Sequence, residues 1–240
     1  IRLSLVGSEM CIRDSGNPLI SDPAEDGSPD HPYDAVQEAI NLAADGDAVL
    51  VMDGTYTGPG NRDIELRDKS ITIRSENGPD TCVIDCQGSE ADPHFGMVIS
   101  GSPENSVMLE GLCICNGYSA NGAGYGINVS RCAIVITSCN VLNNHSKSTG
   151  GIGVGSAMGT IEQTRIVGNT SGAHGGGISL ENGELVLRSV EIALNNSGRY
   201  GYGGGIYARD ATLGMEDVRI VDNRAGSYGG GVYAHDVSVT

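Results

Sequence analysis

Residues 161–169 read IEQTRIVGN, and related strings recur as LRSVEIALN at 187–195 and MEDVRIVDN at 215–223. Each string has an apolar residue, a second one three positions later, a third after two more, and a closing asparagine. The strings start 26 and 28 residues apart, since 187 − 161 = 26 and 215 − 187 = 28. A fixed period of this size predicts a repeat architecture in which every repeat is one structural unit.

Three features share this period over the second half of the chain. The apolar triplet occurs as Leu109-Leu112-Ile114, Ile136-Cys139-Val141, Ile161-Thr164-Ile166, Leu187-Val190-Ile192 and Met215-Val218-Ile220. The closing asparagine is assigned to Asn116, Asn144, Asn169, Asn195 and Asn223. A glycine before a β-branched residue occurs at Gly126-Ile127, Gly153-Val154, Gly177-Ile178, Gly205-Ile206 and Gly231-Val232, with spacings of 27, 24, 28 and 26 residues. Together they predict coils of about 26 residues that stack on one another.

One such unit holds two or three short strands and cannot bury its apolar side alone. If each unit is one turn of a wide coil, equivalent strands form a parallel sheet with rungs about 4.8 Å apart. The apolar triplets then make inward columns, with Ile166, Ile192 and Ile220 in a single file. Asparagine at a repeated corner is expected to bond to the asparagine one rung away.

The charges test this register independently. The position after the first apolar residue reads Glu162, Arg188, Glu216, and the position before the last one reads Arg165, Glu191, Arg219. Stacked in register, both columns alternate in sign, and each exposed pair contributes about 0.2–1 kcal/mol.

The composition excludes several function classes. The chain has 240 residues, 30 acidic and 14 basic side chains, a net charge of −16, 37 glycines and no tryptophan. A nucleic-acid binder needs a basic patch, and the only lysines are Lys69 and Lys147. No apolar run approaches the roughly 20 residues of a membrane-spanning helix.

The chain divides into four segments. Residues 1–15 resemble read-through of a sequencing adaptor and are excluded from the fold prediction, and residues 16–33 are predicted as an extended leader. Residues 34–105 are predicted as a capping helix, Asp34 to Ala43 with an Asp34–Gln37 capping box, followed by irregular first coils. Residues 106–240 are predicted as regular coils, and because no capping segment follows, the natural protein is expected to continue beyond them.

These residues resemble a known class. The segment from Asp34 through Gly46 to Tyr56 is similar to the opening of bacterial right-handed parallel β-helix proteins of the pectin-lyase-like superfamily. The Gly-Gly-Gly-Ile/Val clusters, with Ile166–Asn169 and Ile220–Asn223, are similar to repeats of polymorphic outer-membrane proteins, although those repeats carry Phe where this chain has Ile or Val. The resemblance spans about residues 31–240 and implies an all-β, right-handed, single-stranded parallel β-helix and a secreted or bacterial cell-surface location. It does not imply an activity, because the architecture serves lyases, hydrolases and adhesins alike.

The resemblance supplies one set of candidate catalytic residues. Pectate-lyase-like enzymes hold Ca²⁺ with carboxylates and use an arginine as base, so Ca²⁺ is expected only if this chain is a lyase. The matching residues on the late coils are Asp210, Asp217, Asp222, Asp236, Arg209 and Arg219. A solvated acidic surface explains the same residues, and the paired aspartates of a β-helix galacturonase are missing from the sequence.

Other motifs point away from cofactors and metals. The glycine runs lack the Gly-Lys-Ser/Thr ending of a phosphate-binding loop, and neither a Gly-x-Ser-x-Gly elbow nor a His-Glu-x-x-His zinc motif is present. No cofactor and no metal site is therefore predicted, although His145 and His174 fall in corners about one coil apart. The cysteines beyond the first segment are predicted as core thiols, with a Cys86–Cys113 disulfide left as the alternative, and Cys139 between Leu112 and Thr164.

The sequence favours a non-catalytic, extracellular or cell-surface β-helix module, monomeric, that binds carbohydrate or a protein partner. The alternative is a carbohydrate-active enzyme, either a polysaccharide lyase or a glycoside hydrolase of the pectin-lyase-like type. Neither hypothesis predicts a nucleic-acid partner or a membrane-spanning segment.

Overall fold

The structure, a computed structural model, describes residues 9–12, 25–119 and 126–240. Over these residues it is a solenoid of parallel strands with about seven turns and one short helix, α1 (Val36–Leu42). The strands are, in chain order, β1 (Glu9–Ile12), β2 (Ala48–Val51), β3 (Gly54–Tyr56), β4 (Ile64–Arg67), β5 (Thr72–Ser75), β6 (Cys82–Asp85), β7 (Met97–Ser100), β8 (Ser106–Glu110), β9 (Cys113–Cys115), β10 (Tyr118–Ser119), β11 (Ile127–Ser130), β12 (Ala133–Thr137), β13 (Asn140–Leu142), β14 (His145–Ser146), β15 (Ile152–Gly155), β16 (Met158–Glu162), β17 (Arg165–Val167), β18 (Thr170–Ser171), β19 (Ile178–Glu181), β20 (Glu184–Arg188), β21 (Glu191–Ala193), β22 (Asn196–Ser197), β23 (Ile206–Glu216), β24 (Arg219–Val221), β25 (Arg224–Ala225) and β26 (Val232–Val239).

Equivalent strands of successive coils lie side by side in four rows. The first row is β4-β7-β11-β15-β19-β23 and the second is β1-β2-β5-β8-β12-β16-β20-β23. The third row is β3-β6-β9-β13-β17-β21-β24, and the short fourth row is β10-β14-β18-β22-β25. The long strand β23 belongs to both of the first two rows, and β26 pairs with it along both parts. Right-handed winding of these rows stays a prediction.

The predicted single file of isoleucines is confirmed. Ile166 pairs in register with Ile192, and Ile192 pairs with Ile220. Leu109, Ile136, Ile161, Leu187 and Met215 are likewise aligned from coil to coil in the second row. The core is therefore a set of parallel columns, and its members are fully buried except on the last coil, where Ile220 and Met215 are half-buried.

Two details of the predicted alignment are wrong. The residue aligned with Ile127 and Ile178 is Ile152 rather than Val154, so the glycine before it is Gly151. The strand starts are consequently 25, 26, 28 and 26 residues apart, from 127 to 152, 178, 206 and 232.

The second error concerns the first corner asparagine. Cys115 pairs with Leu142, which places Gly117 and not Asn116 level with Asn144. Gly117 N–H donates to Asn144 Oδ1 at 2.8 Å, whereas Asn116 has a left-handed φ of 56° and binds Asp85. The asparagine column therefore starts at Asn144.

From that point the asparagines form the expected ladder. Asn169 Nδ2 donates to Asn195 Oδ1 at 3.0 Å, and Asn195 Nδ2 donates to Asn223 Oδ1 at 2.9 Å. The same Nδ2 groups reach back to backbone carbonyls of the preceding coil, as in the 2.8 Å bond from Asn195 to Ile166 O. The ladder satisfies backbone groups at a buried bend, where an unpaired group is costly.

Both predicted charge columns also pair. Arg188 lies 2.8 Å from Glu162 and 3.5 Å from Glu216, measured between side-chain nitrogen and oxygen. Glu191 accepts from Arg165 at 3.1 Å and also binds Arg219. The hydrogen bond from Arg165 is the main reason why the pKa of Glu191 is lowered. Because these pairs lie on exposed faces, they contribute little to the free energy of unfolding and act mainly by favouring the observed strand register.

The start of the solenoid differs from the prediction. Glu9–Ile12, which the fold prediction had excluded, form β1, pair with Ala48–Val51 and bury the Ile12 side chain completely. Whether residues 1–15 are native, and whether 16–33 form a leader, stay predictions, and residues 1–8 and 13–24 lie outside the described residues. The predicted boundaries at 34 and 105 and the continuation beyond 240 also stay predictions.

The helix starts two residues later than expected and lacks the predicted capping box. The N-cap residue is Ala35, which makes no side-chain cap, and Asn61 Oδ1 accepts from Val36 N–H at 2.9 Å. Gln37 turns its amide toward β4, accepting from Glu65 N–H at 2.7 Å and donating to Glu65 O at 2.9 Å. Lys69 Nζ donates to three carbonyls at the C-terminal end of α1. A capping function of α1 for the solenoid stays a prediction.

The close stacking makes a stability prediction for one glycine. A Cβ on Gly177 would lie 2.7 Å from Gly205 O and 3.0 Å from Asn195 Nδ2, whereas a Cβ on Gly155 would meet nothing within 4 Å. We therefore expect Gly177→Ala to lower the free energy of unfolding by about 2 kcal/mol, as overpacking does. Chemical denaturation followed by circular dichroism measures it.

Gly155→Ala is the matched control, with an expected effect within about 1 kcal/mol in either direction. Equal losses in the two variants would contradict the close approach of the rungs at Gly177.

Candidate functional site

The candidate acids occupy corners of the coil. Asp210, Asp217 and Asp222 have φ values of 50°, 53° and 53°, the left-handed conformation that Asp and Asn tolerate better than most residues. Each lies at a different bend of the chain. Asp210 separates the first-row part of β23 from its second-row part, Asp217 follows β23, and Asp222 follows β24. The fold therefore spreads the three carboxylates over three corners of one coil. Asp236 is level with Asp210 one coil further on, because Arg209 pairs with His235 and Ala211 with Val237.

The candidate arginines are held by carboxylates. Arg209 lies 3.0 Å from Glu181 and 3.7 Å from Asp210, and the charge of Glu181 is the main cause of the raised pKa of Arg209. Arg219 binds Glu191 on another face. A proton-abstracting arginine needs its pKa lowered toward the working pH, which is opposite to the shift at Arg209. The structure thus brings Asp210 and Asp236 to one corner with Arg209, whereas Asp217, Asp222 and Arg219 lie at other corners or faces.

A cluster of rings on the last coils was not anticipated from the sequence. We call it the ring ladder, and its members are His174, Tyr202, Tyr207, Tyr228 and Tyr233. The ring centroids of His174 and Tyr207 are 4.6 Å apart, those of Tyr207 and Tyr233 are 5.6 Å apart, and both pairs are stacked within 17° of parallel. Tyr202 stacks on Tyr228 at 5.7 Å and leans on His174 and Tyr233 at 5.0 and 4.9 Å.

The ladder follows from the glycine clusters. His174, Tyr202 and Tyr228 each precede a glycine in the left-handed conformation, namely Gly175, Gly203 and Gly229. That glycine turns the chain into the first row, where Tyr207 and Tyr233 point outward from adjacent strands. Because the solenoid stacks equivalent positions, two columns of rings meet along this corner. The sequence does contain a pattern that could have predicted one of the two columns: His174, Tyr202 and Tyr228 all lie three residues before the last glycine of a glycine cluster.

The ladder runs from a buried to an exposed end. Tyr207 is 4% exposed and Tyr228 is 67% exposed, while His174, Tyr202 and Tyr233 are half-buried. Burial raises the pKa of Tyr207 and lowers the pKa of His174, so both side chains favour their neutral forms. The stacked rings of the ladder are thus uncharged.

Charged side chains border the rings. Glu181 and Arg209 follow Ser179 and Tyr207 by two positions, so they point outward from the same face of the first row. On the preceding coil, Gly153 and Gly155 occupy the positions equivalent to Ser179 and Glu181, so the surface has no side chains at these two points. The surface therefore combines stacked rings, a carboxylate–guanidinium pair and an adjoining low area.

The histidines and cysteines do not form a metal centre in the part of the chain that is described. His145 stacks on Tyr118 at 4.9 Å and is level with Thr170, so it does not pair with His174 as the sequence suggested. Within residues 9–12, 25–119 and 126–240, no group of three or more His, Cys, Asp or Glu side chains has the arrangement of a metal site.

The cysteines are buried thiols, as favoured. Cys139 packs between Leu112 and Thr164 as predicted, and burial raises its pKa to about 12. Cys113 is level with Val83 rather than with Cys86, which does not fit the alternative disulfide. Cys113 and Cys115 share a hydrogen bond that lowers the pKa of Cys113 and raises that of Cys115.

A second concave area lies between α1 and β4. It has a volume of about 420 Å³ and is lined by Gln37, Ile40, Asn41, Asp63, Glu65, Arg67 and Lys69. The polar groups in it are largely bonded to one another, as in the Arg67–Glu65 ion pair at 2.9 Å and the Gln37–Glu65 bonds. This area therefore leaves fewer unbonded polar groups for a ligand.

Comparison with known proteins gives a fold but no relative in sequence. No protein-family model and no curated protein matches the chain. The crystal structure of Escherichia coli YbhC matches it with a TM-score of 0.52 and 11% identity, over 93% of this chain and 74% of that one. Pectate lyase Pel9A matches with a TM-score of 0.47, 13% identity and coverage of 98% and 78%. A rhamnogalacturonan lyase gives 0.42, 10%, 87% and 69%.

The chain is a parallel β-helix whose fold is similar to that of YbhC. At 10–13% identity the likeness concerns the fold alone, and β-helices of this type differ in activity. No helix among the described residues of this β-helix is long and apolar enough to cross a bilayer.

Proposed function

We propose that this chain is an extracellular, monomeric, non-catalytic β-helix module that binds glycan chains at the ring ladder. The observation that carries the proposal is the ladder itself, five rings stacked in two adjoining columns at one corner of the solenoid. Pyranose rings pack their C–H faces on aromatic faces, and tyrosine adds a hydroxyl group for hydrogen bonding.

The solenoid suits a polymeric ligand. Equivalent ring positions repeat once per coil, so a chain of repeating sugar units lying along the axis meets similar contacts at each step. Extended binding surfaces built in this way are typical of solenoid proteins.

Binding without catalysis is supported by the candidate catalytic set. Of the candidate residues, only Asp210 and Asp236 share a corner with Arg209, whose pKa is raised by the charge of Glu181, and Arg219 is held by Glu191. An enzyme needs an acid and a base within reach of one reacting bond. Incubation of the intact chain with pectate, alginate and chondroitin, with and without Ca²⁺, tests this part; absorbance of an unsaturated product would contradict it.

The binding part predicts a specific loss. Tyr228→Ala removes the exposed end of the ladder, and we expect glycan affinity to fall about five- to tenfold, the value of one stacked ring. Isothermal titration calorimetry against a panel of hexasaccharides measures the change. Stability should hardly change, because Tyr228 is 67% exposed.

Tyr200→Ala is the matched control. Tyr200 is 73% exposed, and its ring faces Arg199 at 5.4 Å rather than a ladder ring. The proposal predicts near-normal affinity for this variant. Equal affinities for Tyr228→Ala and the unaltered chain would overturn the binding site.

A further inference from the structure

The electrostatics of the ladder indicate which glycans it takes, an inference that rests on the proposed function. We infer that the ring ladder binds a cationic amino-sugar polymer, a chain of 2-amino sugars that carry free ammonium groups. Uncharged glycans then bind more weakly, and uronate polymers are repelled.

The first observation is the local charge. The carboxylates beside the rings are Glu181, Asp210 and Asp236, and the guanidinium among them is Arg209, giving 1 − 3 = −2. Arg209 is already shared between Glu181 and Asp210, so little of its charge is free for a ligand. The chain as a whole adds a net charge of −16, which favours approach of a cationic partner and opposes that of a polyanion.

Two further charged groups lie near these carboxylates and rings. His235 Nδ1 lies 3.1 Å from Asp236 Oδ2 at the end of the same column. On the corner side, Arg199 lies over the ring of Tyr200, outside the ladder. Including Arg199, and with His235 counted as neutral, leaves the surface at 2 − 3 = −1.

The second observation is the ring chemistry. The face of a tyrosine ring carries negative electrostatic potential, so it attracts a cation as well as a C–H face. An amino sugar offers both features on one unit: C–H groups for stacking and an ammonium group for the neighbouring carboxylate. A neutral sugar uses the rings alone, and a uronate places its carboxylate against Glu181 and Asp236.

The test compares three hexasaccharides on the intact chain by calorimetry, in weakly acidic buffer where the glucosamine units are protonated and the carboxylates remain ionised. The probes are the glucosamine, glucose and galacturonate hexamers with β-1,4, β-1,4 and α-1,4 linkage. We expect the glucosamine hexamer to bind about tenfold more tightly than the glucose hexamer, with the galacturonate hexamer weakest. Equal affinities, or tightest binding of galacturonate, would overturn the inference.

Charge-neutralising variants separate the inference from the proposed function. Glu181→Gln combined with Asp236→Asn should weaken glucosamine binding about tenfold and leave glucose binding unchanged. The matched control is Glu162→Gln, which removes an exposed carboxylate paired with Arg188 on another face. An equal loss in this control means non-specific attraction to an acidic protein and overturns the inference.

The remaining outcomes are also distinct. If Tyr228→Ala weakens binding of the glucose hexamer but the charge variants do not affect the glucosamine hexamer, the ladder binds glycans and only the charge preference is wrong. If Tyr228→Ala leaves the affinity for every hexamer unchanged, the proposed function fails and this inference fails with it.

Discussion

Asn195→Ala is expected to lower the free energy of unfolding by about 4 kcal/mol, the largest single-site loss predicted for this chain. The side chain is 1% exposed. Its Oδ1 accepts from Asn169 N–H at 2.8 Å and from Asn169 Nδ2 at 3.0 Å, and its Nδ2 donates to Ile166 O at 2.8 Å. Alanine would leave those groups unpaired, at about 1–3 kcal/mol for each buried group. Urea denaturation followed by circular dichroism measures the difference.

The adjacent Asn196→Ala is the control for this variant. Asn196 is exposed in β22, with its side chain turned away from the ladder of asparagines. We expect a change within about 0.5 kcal/mol, as at ordinary surface positions. Comparable losses at both positions would show that the corner hydrogen bonds contribute nothing particular.

Ile166→Ala is expected to cost about 3–4 kcal/mol. Ile166 is fully buried and lies in the single file between Val141 and Ile192. Truncation removes transferred apolar area and leaves a cavity that the flanking rungs, held by backbone bonds on both sides, cannot close. The midpoint and slope of chemical denaturation give the loss.

The same truncation at the last isoleucine of this column, Ile220, serves as the comparison. Ile220 is two coils further along the same column but only half-buried, so Ile220→Ala should cost about half as much. A loss at Ile220 equal to that at Ile166 would mean that burial does not increase inward from the last coil.

The coil architecture could be predicted from the sequence because parallel in-register stacking copies each environment from one coil to the next. The columns of Ile166 and of Arg165 and Glu191 are visible as sequence periods for that reason. The prediction failed where two registers fit equally well. Residues Gly151–Gly155 read Gly-Ile-Gly-Val-Gly, and only the pairing of Ile152 with Ile127 decides between them. Asn116 was misassigned for a related reason. Asparagine is suited both to a left-handed turn and to the column of corner asparagines, so the residue type alone did not show which of the two Asn116 occupies.

The candidate site was less predictable than the fold. The late acids look clustered in sequence, and yet Asp210, Asp217 and Asp222 turn the chain at different corners. The tyrosines of the ring ladder repeat with the coils, but the offset between Tyr202 and Tyr207 has no meaning until Gly203 turns one column toward the other.

What the sequence determined by itself is everything that repeats: the coil length, the buried columns, the corner asparagines and the alternating charges. Each of these depends on contacts between equivalent positions, which a period along the chain already reports. The tertiary structure decided which non-equivalent positions meet, including β1 beside Ala48–Val51 and the rings of His174 and Tyr207. Such contacts depend on the angle at which the chain leaves each corner, a backbone property set by φ at individual residues rather than by any spacing between residue types.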